Sequence, residues 1–454
     1  MKNIFDVIKF KKKSSVFLIT FGKSGNAAPF LKDGWRQSEE NQQWSVGHFG
    51  RIIIPKNVLS SNQKKYLVLK LSSFVLQGKH DRQTVQLIIN DKLIEEIIFD
   101  SNRFILKSYN ITNVPVTNKD MEILFNTPDS ISPFEIGVND DKDKLGVCLM
   151  YIGIATEDFL CSEIYNERSE IISRKYSEYN QLIHDNRHAY VERQIYENAL
   201  LVRKKNINDI HIDGYCEACE QTASFLISEN IIKDENVHYR EQLICSHCQL
   251  KNRQRYVVSR LKQEAARKKN QGASIYLYEQ HGDFFKFLTD NLRESTIIGS
   301  EYLGHGIRPG TLVNGIRHEN ALNLSFADET FDYLVSCDVF EHVPDIHVAL
   351  SESFRVLRKG GILIFTIPFD SRSQFSVLRS QVDKNGNVRH LLDPVYHGNP
   401  IDSLGSLVFY DFGWDVVGKC IDAGFSDCYS INYWSPHFAY LGSGELFCFV
   451  ASKK

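Results

Sequence analysis

Four cysteines carry the most specific chemistry in the chain. Cys216-x-x-Cys219 and Cys245-x-x-Cys248 form two knuckles separated by 25 residues. A two-residue gap lets both thiolates of a knuckle reach one ion, and two knuckles complete a tetrahedron. The separation exceeds the roughly 15 to 20 residues common between such pairs, which an extra hairpin accommodates. Four thiolates leave no open coordination position, so the quartet predicts a structural zinc site, with His247 a bystander inside the second knuckle. Ten cysteines spread over 454 residues do not form a disulfide scaffold.

Directly after the quartet come Lys251, Arg253, Arg255, Arg260, Lys262, Arg267, Lys268 and Lys269, opposed only by Glu264. On a helix this run is either a phosphate-binding face or a solvated surface. The whole chain, with 53 basic and 56 acidic residues and a net charge of −3, has no general attraction for nucleic acid or anionic membrane.

A second group of residues has the types and spacing of a ligand site. Glu301 ends the run Ile297-Ile298-Gly299-Ser300 and lies 19 positions after Gly282. That is close to the roughly 20 expected for an acid that grips a ribose diol; the competing reading is a surface carboxylate. Asp338 and His342 follow a strand-like run, where open α/β sheets bind ligands. Histidine suits a base because its pKa lies near neutrality. His342 is the first candidate and His397, in Tyr396-His397-Gly398-Asn399-Pro400, the second, although a structural role competes for any one of 15 histidines. Asp411 and Trp414 either line an acceptor wall or begin a packed helix.

The elements that must position these residues fall into a multidomain order. Residues 1–155 read as an all-β sandwich. Leu67, Leu69 and Leu71 alternate with Val68, Lys70 and Ser72, and Val85, Leu87 and Ile89 alternate with Thr84, Gln86 and Ile88. Asn90-Asp91 reads as a hairpin turn before Leu93 to Phe99, and Glu122 to Phe125 and Val147 to Ile154 read as further strands. From Ile154 to Asp213 there is neither glycine nor proline, in a chain with 27 and 11 of them. Ile164, Ile171, Tyr176, Tyr179, Ile183, Tyr190 and Ile195 recur at helical spacing there, predicting a helical connector over 156–213. Residues 214–262 form the zinc module. Residues 263–454 read as a doubly wound, Rossmann-like α/β domain, with parallel strands at Ile275–Tyr278, Thr296–Gly299, Tyr333–Ser336 and Ile362–Ile367. Cys428 to Tyr433 and Glu445 to Ala451 then close the sheet as an antiparallel pair.

The blocks Asn320-Ala321-Leu322-Asn323-Leu324-Ser325-Phe326, Thr330-Phe331-Asp332, Cys337-Asp338-Val339-Phe340-Glu341-His342-Val343 and Phe354-Arg355-Val356-Leu357-Arg358-Lys359-Gly360-Gly361 closely resemble class I S-adenosylmethionine-dependent methyltransferases, in the subgroup with Glu-His-Val after the fourth strand. The resemblance runs from Ser274 to the C-terminus. It implies S-adenosylmethionine as cofactor, with Glu279 on the methionine amino group, Gly282 opening a helix and Glu301 on the ribose. It implies Asn320, where the family usually has an acid, on the adenine amino group, with Ala321 offering backbone. Asp338 would orient a base or the cofactor. The departure is the first loop, Tyr278-Glu279-Gln280-His281-Gly282-Asp283, which has one glycine where the family has several.

In the front domain Trp35 and Trp44 flank Glu39 and Glu40. This pattern suits a sugar ring or, alternatively, a packed core. The region resembles, more loosely, β-sandwich modules of bacterial surface-polysaccharide assembly proteins. The expected activity is therefore O-methylation of a glycan or glycan-lipid intermediate of surface polysaccharide synthesis. The alternatives are a nucleic-acid methyltransferase using the zinc module and basic run, and a non-catalytic sugar-binding protein on a degenerate methyltransferase fold. No apolar run reaches the roughly 20 residues of a transmembrane helix. Lys11 to Lys13 before Val16-Phe17-Leu18-Ile19 read as a basic segment entering a strand, and the expected compartment is the cytoplasm.

Overall fold

Apolar alternation in the first part of the chain produces, among the described residues, nine antiparallel strands: β1 (Phe17–Thr20), β2 (Gln43–Val46), β3 (Phe49–Ile54), β4 (Lys65–Ser73), β5 (Gln83–Ile89), β6 (Lys92–Phe99), β7 (Ile105–Asn110), β8 (Met121–Asn126) and β9 (Leu145–Thr156). The computed structural model describes residues 16–59, 63–114, 120–161, 163–204, 209–228, 237–268, 272–383, 385–398 and 405–454, so Lys11 to Lys13, Lys269, Asn399 and Pro400 lie outside the described residues. One sheet runs β1-β9-β4-β7, with β2 also on β9, and the other runs β3-β8-β5-β6. Leu67, Leu69 and Leu71 of β4 meet Val85, Leu87 and Ile89 of β5 in one hydrophobic cluster. Asn90 and Asp91 both take positive φ, 47° and 63°, between the paired strands β5 and β6. This is the backbone twist that a two-residue hairpin needs.

The segment after β9 contains α1 (Glu157–Cys161), β10 (Ser169–Ser173), α2 (Tyr176–Asp185) and α3 (Arg187–Lys204). The chain divides into two compact units, 1–165 with 188–207, and 166–187 with 208–454. In the first unit α3 lies on β9, with Ile195 over Gly153. A Cβ at Gly153 would come within 2.3 Å of the Ile195 side chain, so the glycine makes room for the helix. The helical spacing read through Ile171 gives way at β10, where Ile171 and Ile172 pair with Asn432 and Ile431. Antiparallel pairing along a sheet edge outweighs the weak helical preference of adjacent β-branched residues.

The second unit begins with β11 (Ile210–Cys216), β12 (Gln221–Ile227) and β13 (Ile244–Cys245), a small antiparallel sheet, followed by α4 (Asn252–Lys268). Next come β14 (Ser274–Leu277), α5 (Asp283–Asn291), β15 (Thr296–Gly299), the ladder of β16 (Leu312–Val313) and β17 (Ile316–Arg317), β18 (Phe331–Cys337), α6 (Ile346–Val356) and β19 (Leu357–Thr366). Between β19 and α7 (Asp415–Asp422) lie β20 (Val377–Leu378), β21 (Ser380–Val382), β22 (Val388–His390), β23 (Tyr396–His397), β24 (Ser406–Leu407) and β25 (Tyr410–Asp411). They pair as β20 with β25, β21 with β22 and β23 with β24. Two final strands are β26 (Asp427–Trp434) and β27 (Phe447–Ser452).

The main sheet has the order β10-β26-β27-β19-β18-β14-β15. β14, β15, β18 and β19 are parallel and β26 and β27 antiparallel, as the sequence pattern requires. α2, α6 and α7 contribute Tyr179, Leu350 and Val417 to one hydrophobic cluster with Leu334, Phe365 and Phe449 of the sheet. α4 packs elsewhere on β19 and β27 and stacks Tyr256 on Tyr433 at 3.6 Å between ring centres. The β15–β18 crossover is not helical, because Gly304, Gly306, Pro309 and Gly310 are poor helix formers. After α6 the chain turns through Gly360 at φ +73° before β19 resumes its pairing with β18. No helix among the described residues is long and apolar enough to cross a membrane.

Candidate active site

The parallel strands end where the sequence places its candidate ligands. Glu279 follows β14. It keeps some exposed surface, but its Oε1 is sealed from solvent and has no hydrogen-bond partner. Burial pushes its carboxyl up to about 8, against the attraction of Arg253. Three residues on, Gly282 caps α5 at φ 101° and ψ −177°, a conformation essentially confined to glycine. A Cβ there would meet nothing within 4 Å, so the turn borders open space.

Glu301 follows β15, and its Oε1 accepts the backbone N–H groups of Gln280 and His281, each at 2.8 Å. It thus braces the first loop from the neighbouring strand. Burial raises its pKa and the two N–H groups oppose the shift. Asn320 and Ala321 lie on the next turn, where the Asn320 side-chain carbonyl accepts the Leu322 N–H at 3.0 Å. Glu319 secures that turn by accepting from Arg317 at 2.8 Å and from the Ser325 N–H at 2.9 Å.

Asp338 follows β18 with a φ of +58°. Its carboxylate is gripped by the Arg240 guanidinium, lies 3.2 Å from Nε of Arg253 and accepts the Thr366 hydroxyl at 2.9 Å. Burial pushes its pKa up, but the two arginines prevail and hold it below the usual carboxylate range. Arg253 also donates to Glu241 at 2.6 Å, and Lys251 does so at 2.9 Å. Arg240 is the residue that sequence reasoning missed, and Arg253, read there only as part of the basic run, faces the same carboxylate. An acid at a buried strand end signals a need for a counter-charge, but nothing local names its source.

The source is the cysteine module. Cys216 ends β11 and Cys245 lies on β13, while Cys219 and Cys248 occupy the following turns. Each knuckle closes alike: Glu220 N–H donates to the Cys216 carbonyl at 2.7 Å and Gln249 N–H to the Cys245 carbonyl at 3.0 Å, with φ of 57° and 58°. The four Sγ atoms lie within 4.8 Å of one another, and the Cys216–Cys248 and Cys219–Cys245 pairs are 3.8 Å apart. Tetrahedral Zn–S bonds of about 2.3 Å set sulfurs about 3.8 Å apart, so the quartet fits the ion.

The basic run that follows is largely internal, which corrects both of its readings, as a phosphate-binding face and as a solvated surface. Arg255 is fully buried, donates to the Phe438 and Ala439 carbonyls and lies over the Phe225 and Tyr440 rings. Arg260 pairs with Glu264 at 2.6 Å and with the Tyr429 hydroxyl at 2.9 Å. Lys262 pairs with Glu220 at 2.6 Å. The side chains of Arg267 and Lys268, and all of Lys269, lie outside the described residues.

His342 and His397 meet, from distant parts of the chain, on Glu341. His342 Nε2 and His397 Nδ1 each lie 3.7 Å from the same Glu341 Oε1, and the rings are 5.1 Å apart. Glu341 is fully buried, and neither of its carboxylate oxygens has a hydrogen-bond partner. Burial raises its pKa, and its carboxylate raises that of His397. His342 Nδ1 is 2.9 Å from the Leu407 carbonyl oxygen. Asp411 pairs with Arg379 at 2.6 Å, and Trp414 is a core residue whose Nε1 donates to the Ser371 carbonyl, as the packed-helix reading has it.

In the N-terminal unit Trp35 and Trp44 do not clasp one space. Trp35 packs on Phe21 and Phe125 and donates Nε1 to the Arg51 carbonyl at 2.9 Å. Trp44 instead meets Phe74 edge-on, and Phe74 stacks on His80; all three are half-buried. Glu39 is held by Arg36 and Gln42.

Residues 281–365 match the family described as a methyltransferase domain, the stretch that holds Gly282, Glu301, Asn320, Asp338 and His342. No curated protein matches the chain. Among solved structures, one chain of a Haloferax volcanii complex containing a methyltransferase activator is similar at 17% identity. The match covers 42% of this chain and 88% of that one, with a TM-score of 0.26. An S-adenosylmethionine-dependent methyltransferase from Mesorhizobium loti is similar at 16% identity over 42% of this chain and 96% of that one, with a TM-score of 0.25. The C-terminal unit thus contains a methyltransferase domain, of the family whose cofactor is S-adenosylmethionine.

Proposed function

We propose that this methyltransferase domain uses S-adenosylmethionine to O-methylate a glycan or glycan-lipid intermediate of surface polysaccharide synthesis, and that the cysteine quartet holds a structural zinc ion. The observation that carries the cofactor assignment is Glu279, a carboxylate with a sealed and unpartnered oxygen, beside a turn that only glycine adopts. An ammonium group is the partner that this oxygen lacks. Glu301, already bracing the loop, has its second oxygen to offer a ribose hydroxyl, and Asn320 and Ala321 border the adenine side. Asp338 serves this site as the anchor of Arg240 and Arg253, rather than through direct contact with the cofactor.

The cofactor supplies an electrophilic methyl group on a sulfonium, which leaves as a neutral thioether. What the chain adds is position and proton removal. His342, its Nδ1 held by the Leu407 carbonyl, is the base we assign to the acceptor hydroxyl proton, with Nε2 as the nitrogen that takes it. His397 and Glu341 stand beside it.

The glycan assignment draws on the N-terminal unit, read as a β-sandwich, and on its half-exposed rings Trp44, Phe74 and His80, which offer stacking faces. Release of S-adenosylhomocysteine on a panel of oligosaccharide and polyprenyl-linked sugar acceptors tests the reading. Turnover on a sugar hydroxyl is expected. Turnover on RNA alone, with none on any sugar, would contradict it.

A further inference from the structure

We infer that Glu341, His342 and His397 form a second metal site, one that takes a divalent first-row cation with open coordination positions on the acceptor side. The inference rests on the methyl-transfer reading for its role, though not for the existence of the site.

The donors are already gathered. One carboxylate oxygen and two ring nitrogens lie within 4.8 Å of one another, and both nitrogens face the same oxygen at 3.7 Å. Ligand bonds of about 2.1 Å in a tetrahedral site put donors about 3.4 Å apart, so a small contraction completes the set. The tautomer fits as well. The Leu407 carbonyl, 2.9 Å from His342 Nδ1, accepts a hydrogen from that nitrogen and fixes the ring with Nε2 toward Glu341. A backbone carbonyl on the far nitrogen is the usual partner of a metal-bound histidine.

Apart from the two histidines, the carboxylate faces no partner among the described residues that would hold it. Glu341 is 0% exposed and neither oxygen is hydrogen-bonded, an arrangement that costs folding energy unless something binds there. His397 and Leu407 arrive together on the β23–β24 ladder, where Tyr396 pairs with Leu407 and His397 with Ser406. A single insertion therefore delivers one ligand and orients another. Two histidines and one carboxylate leave positions free, unlike the closed cysteine quartet. A cation held by Glu341, His342 and His397 would acidify an acceptor hydroxyl, and His342 would then serve as a ligand, with proton removal left to water in place of its role as base.

The test is titration of the zinc-loaded full chain with Mn2+, followed by electron paramagnetic resonance and calorimetry, beside His397→Ala and Glu341→Gln. S-adenosylmethionine binding is measured on the same samples. One Mn2+ site, weakened more than about tenfold in both variants, is expected. His397 lies on a half-exposed ladder, so its variant keeps the test valid if Glu341→Gln misfolds. No Mn2+ binding, or binding unchanged in His397→Ala, overturns the inference. Mn2+ binding without S-adenosylmethionine binding supports the metal site and overturns the methyl-transfer reading instead.

Discussion

The guanidinium of Arg240 grips the carboxylate of Asp338 across 98 residues of sequence. Arg240 lies between the two cysteine knuckles, and Asp338 follows the parallel strand β18. The pair therefore ties the cysteine module to the ligand-binding edge of the sheet. Arg240→Ala leaves Asp338 largely buried with Arg253 alone, and such broken pairs cost about 3–5 kcal/mol. Adding Asp338→Asn to that variant should restore part of the loss, because the uncompensated charge is gone. Urea unfolding of wild type, both single variants and the double variant measures this coupling.

Removal of zinc should act through the same connection. Metal analysis is expected to give one tightly held zinc per chain, lost in Cys245→Ser. Because metal binding is folding energy for a small module, its loss should lower stability by several kcal/mol or more. Thermal unfolding before and after chelation reads the change, and a zinc-free chain of unchanged stability would contradict the assignment.

Glu279 makes the stability depend on pH in a predictable direction. Its folded pKa is raised from 4.5 to about 8 by burial. Its contribution is therefore fully present below about pH 4.5 and is lost as pH rises through 8. Glu279→Gln should remove this decline, so that the variant gains on the wild type by a few kcal/mol between pH 5 and pH 9, on the order set by linkage. Cofactor binding needs the ionised carboxylate, and at pH 7 it should release close to one proton, seen as buffer-dependent heat.

Gly282→Ala isolates backbone from contacts. No atom lies within 4 Å of the added Cβ, yet the φ of 101° strains any other residue by about 1–3 kcal/mol. The expected result is a destabilised chain with weaker cofactor binding, measured by chemical unfolding and calorimetry.

Much of this was legible in the sequence, and the rest fails for identifiable reasons. The parallel strands, the Asn90-Asp91 turn and the spacing of the quartet depend on local pattern, and each reappears in the structure. Glu279, Gly282 and Glu301 are likewise brought together because neighbouring parallel strands must end side by side. Neither reading of the basic run holds, because charge in a sequence does not say which way a helix faces: Arg253, Arg255 and Arg260 point into the fold and meet partners far along the chain. Trp35 and Trp44 sit close in sequence but on different surroundings, since Trp35, partly buried, packs against the core while Trp44 meets Phe74. The Arg240–Asp338 pair and the meeting of His397 with Glu341 depend on long-range closure, which no local spacing encodes.

The central claim is that the carboxyl ends of these strands hold S-adenosylmethionine, and its most direct test is a calorimetric titration of the zinc-loaded full chain with that cofactor, beside Glu279→Gln and Glu301→Ala. The account predicts saturable binding to the wild type, weakened about 10- to 100-fold when the charged hydrogen bond of Glu279 is removed, with a loss in Glu301→Ala as well. Absence of binding to the wild type, or equal affinity in all three proteins, would contradict it.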